Sequence, residues 1–172
     1  REQLSPAPKE RLKTFAPKDL FFGGHGHDLS EQALRTPFIL AGPGVPEGLR
    51  LNAPVENVDL FPTLLSLCGL PRPGDLHGVD LCALFSEAGE PAEWRTETYA
   101  YIRHAVTLRD EEAQLKIVVP TAFGVKKEFP PATLHRLSDD PLEREDLSKV
   151  LPDELSRLNA RLEAYLERYP TT

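Results

Sequence analysis

Two imidazoles and two carboxylates stand within seven residues in the stretch Gly23-Gly24-His25-Gly26-His27-Asp28-Leu29-Ser30-Glu31. Donors such as His25 and His27 can stabilise a developing oxyanion or hand a proton to a leaving oxygen. The same groups admit two other readings: a His-x-His-Asp metal site, or a pair of solvated histidines in a glycine-rich loop. No third ligand group stands at a recognisable spacing, so no metal ligand is assigned to this chain. Glu31 and Arg35 lie four residues apart, the separation of a helical ion pair worth a few tenths of a kcal/mol. The other role open to Arg35 is to orient the loop for a substrate.

The remaining histidines carry less. His77 sits in the turn-rich Asp75-Leu76-His77-Gly78. His104 and His135 alternate with apolar neighbours and are expected to be structural or solvent-facing. Asp139-Asp140-Pro141 reads as a turn.

The elements around the histidine stretch follow from periodicity. Pro37-Phe38-Ile39-Leu40-Ala41 is a continuous apolar run closed by Gly42-Pro43-Gly44, the pattern of a strand buried on both faces. Apolar residues at 61, 64, 65 and 68 have helical spacing. Asp59 suits the N-cap of that helix, Pro62 its first turn and Gly69 its C-terminal stop. Residues 80–85 allow a short helical segment. Past residue 97 the texture changes to β-type runs at 98–102, 104–109, 115–119 and 133–137, an antiparallel meander. Pro152-Asp153-Glu154 opens a final helix with Leu155, Leu158, Leu162, Tyr165, Leu166 and Tyr169 on one stripe and Arg157 and Arg161 on the other face. Trp94 and Tyr99 are placed at the join between the two layers.

Composition sets the outer bounds. The chain has 172 residues with a 40% apolar share, enough for a core. No window approaches the ~18 apolar residues of a membrane span. A net charge of −7 argues against nucleic acid or an anionic membrane as the main partner. It does not argue against a small anionic substrate held at a local positive site. Cys68 and Cys82 are expected to be core thiols. The chain has no methionine, which reads as a processed chain or a piece of a longer protein.

Three blocks resemble the C-terminal half of a sulfatase, in the alkaline-phosphatase-like superfamily. The first is Gly24-His25-Gly26-His27 through Glu31 to Leu34-Arg35-Thr36-Pro37 and the apolar run. The second, and most specific, runs from Gly42-Pro43-Gly44 through Ala53-Pro54-Val55-Glu56-Asn57-Val58-Asp59-Leu60-Phe61-Pro62-Thr63 to Gly69-Leu70-Pro71. The third, looser, is Leu134-His135-Arg136-Leu137 with Asp140-Pro141-Leu142-Glu143.

The resemblance implies an α/β fold: the end of a sulfatase-type mixed sheet with helices, then a small antiparallel sheet packed by a long C-terminal helix. It divides the chain into a polar leader over 1–22, an α/β portion over 23–92 and the small sheet with its helix over 93–172. It implies a hydrolase of sulfate monoesters, or of phosphate or phosphonate esters. His25 and His27 would face the substrate as catalytic groups, and Arg35 would bind it. The family's Cys/Ser-x-Pro-x-Arg nucleophile motif and its main metal ligands do not occur in this sequence. Formylglycine and Ca²⁺ are therefore implied only for an intact parent, with the N-terminal half of the same protein as partner, and this chain alone is expected to be inactive. The contrasting reading is a non-catalytic, degenerate sulfatase-like module used for binding or assembly.

Overall fold

The computed structural model of the chain describes residues 29–85, 94–126 and 130–169. The leader over 1–22, and with it His25 and His27, lies outside the described residues.

The second half is a meander. Strands β1 (Glu97–Ile102), β2 (Ala105–Asp110), β3 (Leu115–Pro120) and β4 (Thr133–Arg136) form one antiparallel sheet in that order. Side chains alternate across a strand, so Leu115 and Ile117 share one face while Lys116 points to the other. That first face packs on helix α4 (Pro152–Arg168). Val106, Leu108, Leu115, Ile117 and Leu134 meet Leu158 and Leu162 there in a closed core. Each turn has its own device. Asp110 accepts from the amide N–H groups of Glu112 and Ala113. Gln114 then takes the left-handed conformation, φ 51°, that returns the chain into β3.

A short helix, α3 (Ala122–Lys126), follows β3 and has no counterpart in the sequence reading. The Thr121 hydroxyl accepts from the Gly124 amide and donates to the Arg103 carbonyl. A Cβ on Gly124 would meet the His104 carbonyl oxygen at 2.0 Å, so only glycine allows this approach.

The first half holds α1 (Glu31–Leu34), a single turn, and α2 (Leu60–Leu67). A 3₁₀ turn, Asn57–Asp59, leads into α2. The helix stops as the glycine predicts: Gly69 has φ 65°, Leu70 N–H donates to Leu65 O, and Gly69 N–H donates to Ser66 O. Asp59 does not cap the helix with its side chain. Its Oδ2 instead accepts the Glu56 amide at 2.7 Å, and its Oδ1 accepts the Val79 amide at 2.9 Å. A second 3₁₀ segment, Leu81–Phe85, supplies Leu81 and Leu84 to a small cluster with Ala53, around which Phe38, Val55 and Trp94 pack.

Two expectations are corrected. Residues 37–41 are not a strand, and Ile39 is 85% exposed. An apolar run becomes a buried strand only beside strands it can bond to, and the described residues place none there. Cys68 is exposed, because it ends α2 on the face that also exposes Phe61 and Leu64. Cys82 is half-buried, and neither cysteine is bonded to the other. Arg157 and Arg161 lie on the polar face of α4 and are partly exposed. Both reach back to Asp110, at 3.1 and 2.7 Å.

Candidate functional site

The segment just after the histidine stretch is fastened to the sheet by a buried ion cluster. The Lys116 side chain is fully buried on the face of β3 opposite α4. An ammonium has three donors and no acceptor. All three are used: Leu29 O at 2.5 Å, Glu143 Oε1 at 2.7 Å and Glu31 Oε1 at 3.2 Å. Arg109 is paired with Lys116 in the β2–β3 register, and its Nη1 donates to Glu31 Oε2 at 2.6 Å. Glu143 Oε2 accepts the Glu31 backbone amide at 2.7 Å. Glu31 thus belongs to a long-range network rather than to the local pair with Arg35 that its spacing suggested. The second Arg109 nitrogen reaches Glu111 at 3.0 Å. Burial pushes the Glu111 carboxyl up, and the Arg109 charge works against that.

A hollow of about 220 Å³ opens beside this cluster, lined by Glu31, Gln32, Arg35, Arg109, Gln114 and Leu137. Arg35 is exposed on it, in a position to offer a guanidinium to an anionic group. The Arg109 Nε is buried and without a hydrogen-bond partner among the described residues. The hollow combines the exposed Arg35 guanidinium at its rim, whose charge also acts on the Glu111 carboxyl, with a floor of paired charges. That arrangement can hold an anion, and the described residues that line it supply no hydroxyl or thiol nucleophile.

A second cluster joins the two halves of the chain. Arg95 donates to Glu56 Oε2 and to the fully buried Asp59 Oδ1, both at 2.7 Å. Glu56 Oε1 accepts the Tyr99 amide, and Trp94 Nε1 donates to Pro54 O at 2.9 Å. Trp94 and Tyr99 thus stand at the join where the sequence put them. Burial pushes Glu56 up, opposed by the Tyr99 amide and the Arg95 charge. Tyr99 stacks on Tyr165 of α4 with centroids 3.7 Å apart.

Of the residues singled out in the sequence, Arg35 lies at the hollow and His25 and His27 lie outside the described residues. His77 is exposed and tilts onto Tyr169, centroids 4.5 Å apart. His104 meets Phe123 edge-on at 5.1 Å. His135 is buried between Glu145 O and the Thr133 hydroxyl. None of the three joins the hollow. The sequence reading missed Lys116, Arg109, Glu143 and Arg95. One signal was available: a lysine inside the apolar Leu115-Lys116-Ile117-Val118-Val119 is rarely buried unless it is paired.

The Ca²⁺ implied by the resemblance does not fit these residues. No group of three or more potential ligands that could hold a metal occurs among the described residues. The nearest carboxylates, Glu31 and Glu143, are already taken up by Lys116 and Arg109.

Residues 27–168 match the family described as N-sulphoglucosamine sulphohydrolase, C-terminal. Arylsulfatase K of Danio rerio is 29% identical over 150 residues, 82% of this chain and 27% of that protein. A sulfatase of Formosa agariphila is 35% identical over 81 residues, 46% of this chain and 16% of that protein. The chain therefore spans about a quarter or less of the length of these relatives. A solved structure in complex with its substrate D-glucosamine-2-N,6-O-disulfate superposes with a TM-score of 0.55 at 22% identity, over 66% of this chain and 24% of that one. Another, Ps i-CgsB in complex with k-i-k-neocarrahexaose, gives a TM-score of 0.52 at 23% identity, over 70% of this chain and 26% of that one. At these identities the two structures establish the fold.

Proposed function

Because this chain belongs to the N-sulphoglucosamine sulphohydrolase C-terminal family, a sulfatase C-terminal portion, we propose that it is the C-terminal part of an enzyme that hydrolyses sulfate monoesters on sugars. The observation that carries this reading is the family match across residues 27–168, which takes in His27, the α1 segment and the whole small sheet. Sulfated sugars enter as the substrate class because one structural neighbour is described with a disulfated glucosamine as its substrate. In this proposal the N-terminal half supplies the nucleophile and the metal ligands. His25 and His27 donate hydrogen bonds to the sulfate oxygens or a proton to the leaving sugar oxygen. Arg35, on the rim of the hollow, attracts and orients the anion.

The test compares sulfate release by the purified chain with release by the full-length parent. An aryl sulfate and an N,O-sulfated glucosamine serve as substrates. The expected outcome is hydrolysis by the parent, loss of at least ~10-fold in the parent carrying His27→Ala, and none by the chain alone. Turnover by the chain alone that disappears in His25→Ala would overturn the division of labour. A parent with no Cys/Ser-x-Pro-x-Arg motif upstream of Arg1 would overturn the enzyme reading itself.

A further inference from the structure

We infer that Lys116 is a positioning residue: its buried ammonium fixes the backbone from Leu29 to Glu31, the segment that directly follows the histidine stretch in sequence. The segment's task rests on the sulfate-ester reading above; the contact itself does not. Only Asp28 separates His27 from Leu29, whose carbonyl takes the Lys116 ammonium at 2.5 Å across 87 residues of chain. The Glu31 amide is held from another direction by Glu143, 112 residues away. Two backbone groups within three residues are thus tied to the sheet side of the molecule.

The geometry also says which partner is held and which does the holding. Lys116 lies between Leu115 and Ile117, both buried in the core against α4, so β3 is the fixed frame. Residues 31–34 form only one helical turn, and an isolated turn that short does not hold its own position. Arg109 grips the Glu31 carboxylate but not the Leu29 carbonyl. Without the ammonium, Glu31 and Glu143 would face each other as buried carboxylates with one cation fewer. Such a site relaxes by separating the charges or protonating one of them. The mobile side of that separation is the 29–31 segment.

A plain packing role predicts something different, and hydrogen exchange separates the two. The amides of Glu31, Ala33, Leu34 and Arg35 all have acceptors, in order Glu143, Ser30, Ser30 and Glu31. In the purified chain, Lys116→Met and Glu143→Gln are expected to speed exchange at these four amides by roughly tenfold to a hundredfold. The amides of β2 should keep their protection. Leu162→Ala, a core change that does not touch the cluster, should instead speed exchange in α4 and the sheet. Unchanged exchange at residues 31–35 in a folded Lys116→Met overturns the inference. If that variant does not fold, unchanged exchange in Glu143→Gln overturns it equally.

The second arm uses the full-length protein. Lys116→Met is expected to lower kcat for the sulfated sugar by roughly tenfold or more with KM little changed, and Lys116→Arg to restore part of it. Normal kcat alongside accelerated exchange would show a contact that positions nothing. No turnover in the unmodified parent would instead remove the sulfate reading, with the exchange result still deciding whether the contact holds the segment.

Discussion

Asp110 shows how one carboxylate can serve two elements at once. It accepts two turn amides and, through Oδ2, both Arg157 and Arg161 of α4. Burial alone would raise its pKa. The Ala113 amide and the two guanidinium groups outweigh that and hold the carboxyl below its ordinary 3.8. A depressed carboxylate adds stability that is fully present above its unfolded value and lost as pH falls through the folded one. Asp110→Asn is therefore expected to cost about 1–3 kcal/mol at neutral pH and progressively less as pH falls below 3.8 and through the folded value. Urea midpoints measured across that range check it, and an equal loss at both ends would contradict it. Thr63 gives a second case. Its hydroxyl donates to Asp59 O at 2.6 Å and accepts the Leu81 amide at 2.9 Å, fully buried. Thr63→Val keeps the shape but leaves the Leu81 N–H unpaired, which should lower unfolding stability by about 1–3 kcal/mol.

Among the elements, those whose signal is local were the legible ones. The four strands follow from the β-type runs at 98–102, 104–109, 115–119 and 133–137, and α4 follows from its leucine–tyrosine stripe. The stop of α2 follows from Gly69 alone. Signals fail where an element depends on a distant partner. The run at 37–41 has the composition of a buried strand, but composition does not supply neighbouring strands. Lys116 could be flagged as an oddity in an apolar strand, yet its acceptors at Leu29 and Glu143 lie on other elements. Arg35 was read against Glu31 because only sequence distance was available. The cluster that captured Glu31 is a product of tertiary packing. Gly78 extends the point. A Cβ there would meet the Val58 carbonyl oxygen at 2.0 Å, although its sequence context suggests only a solvated turn. Gly78→Ala is expected to lower the thermal midpoint by several degrees, equivalent to more than about 2 kcal/mol. An unchanged midpoint would mean the approach is not needed.

At the scale of the whole molecule, the two halves are unequally finished. The sheet and α4 close a continuous core around Leu108, Ile117, Leu134, Leu158 and Leu162. Among the described residues, the first half exposes Phe61 at 54% and Leu64 at 43% on one face of α2, and it also exposes Leu70 and Ile39. Contiguous exposed apolar surface promotes association. The purified chain is expected to self-associate in sedimentation across a concentration series, and Phe61→Ser to weaken that association. A chain that stays monomeric throughout would show that this face is better protected in solution.

The joining of neighbours in sequence within the meander, set against the 87-residue reach from Leu29 to Lys116, implies an order of assembly. Hairpins close short loops and form early, while a long loop costs more entropy and closes late. The sheet and α4 should then organise first, with the segment that leaves the histidines docking onto a finished surface. Weakening the Lys116 contact would in that case quicken unfolding and leave the refolding rate almost untouched. What the sheet holds last, it also lets go first.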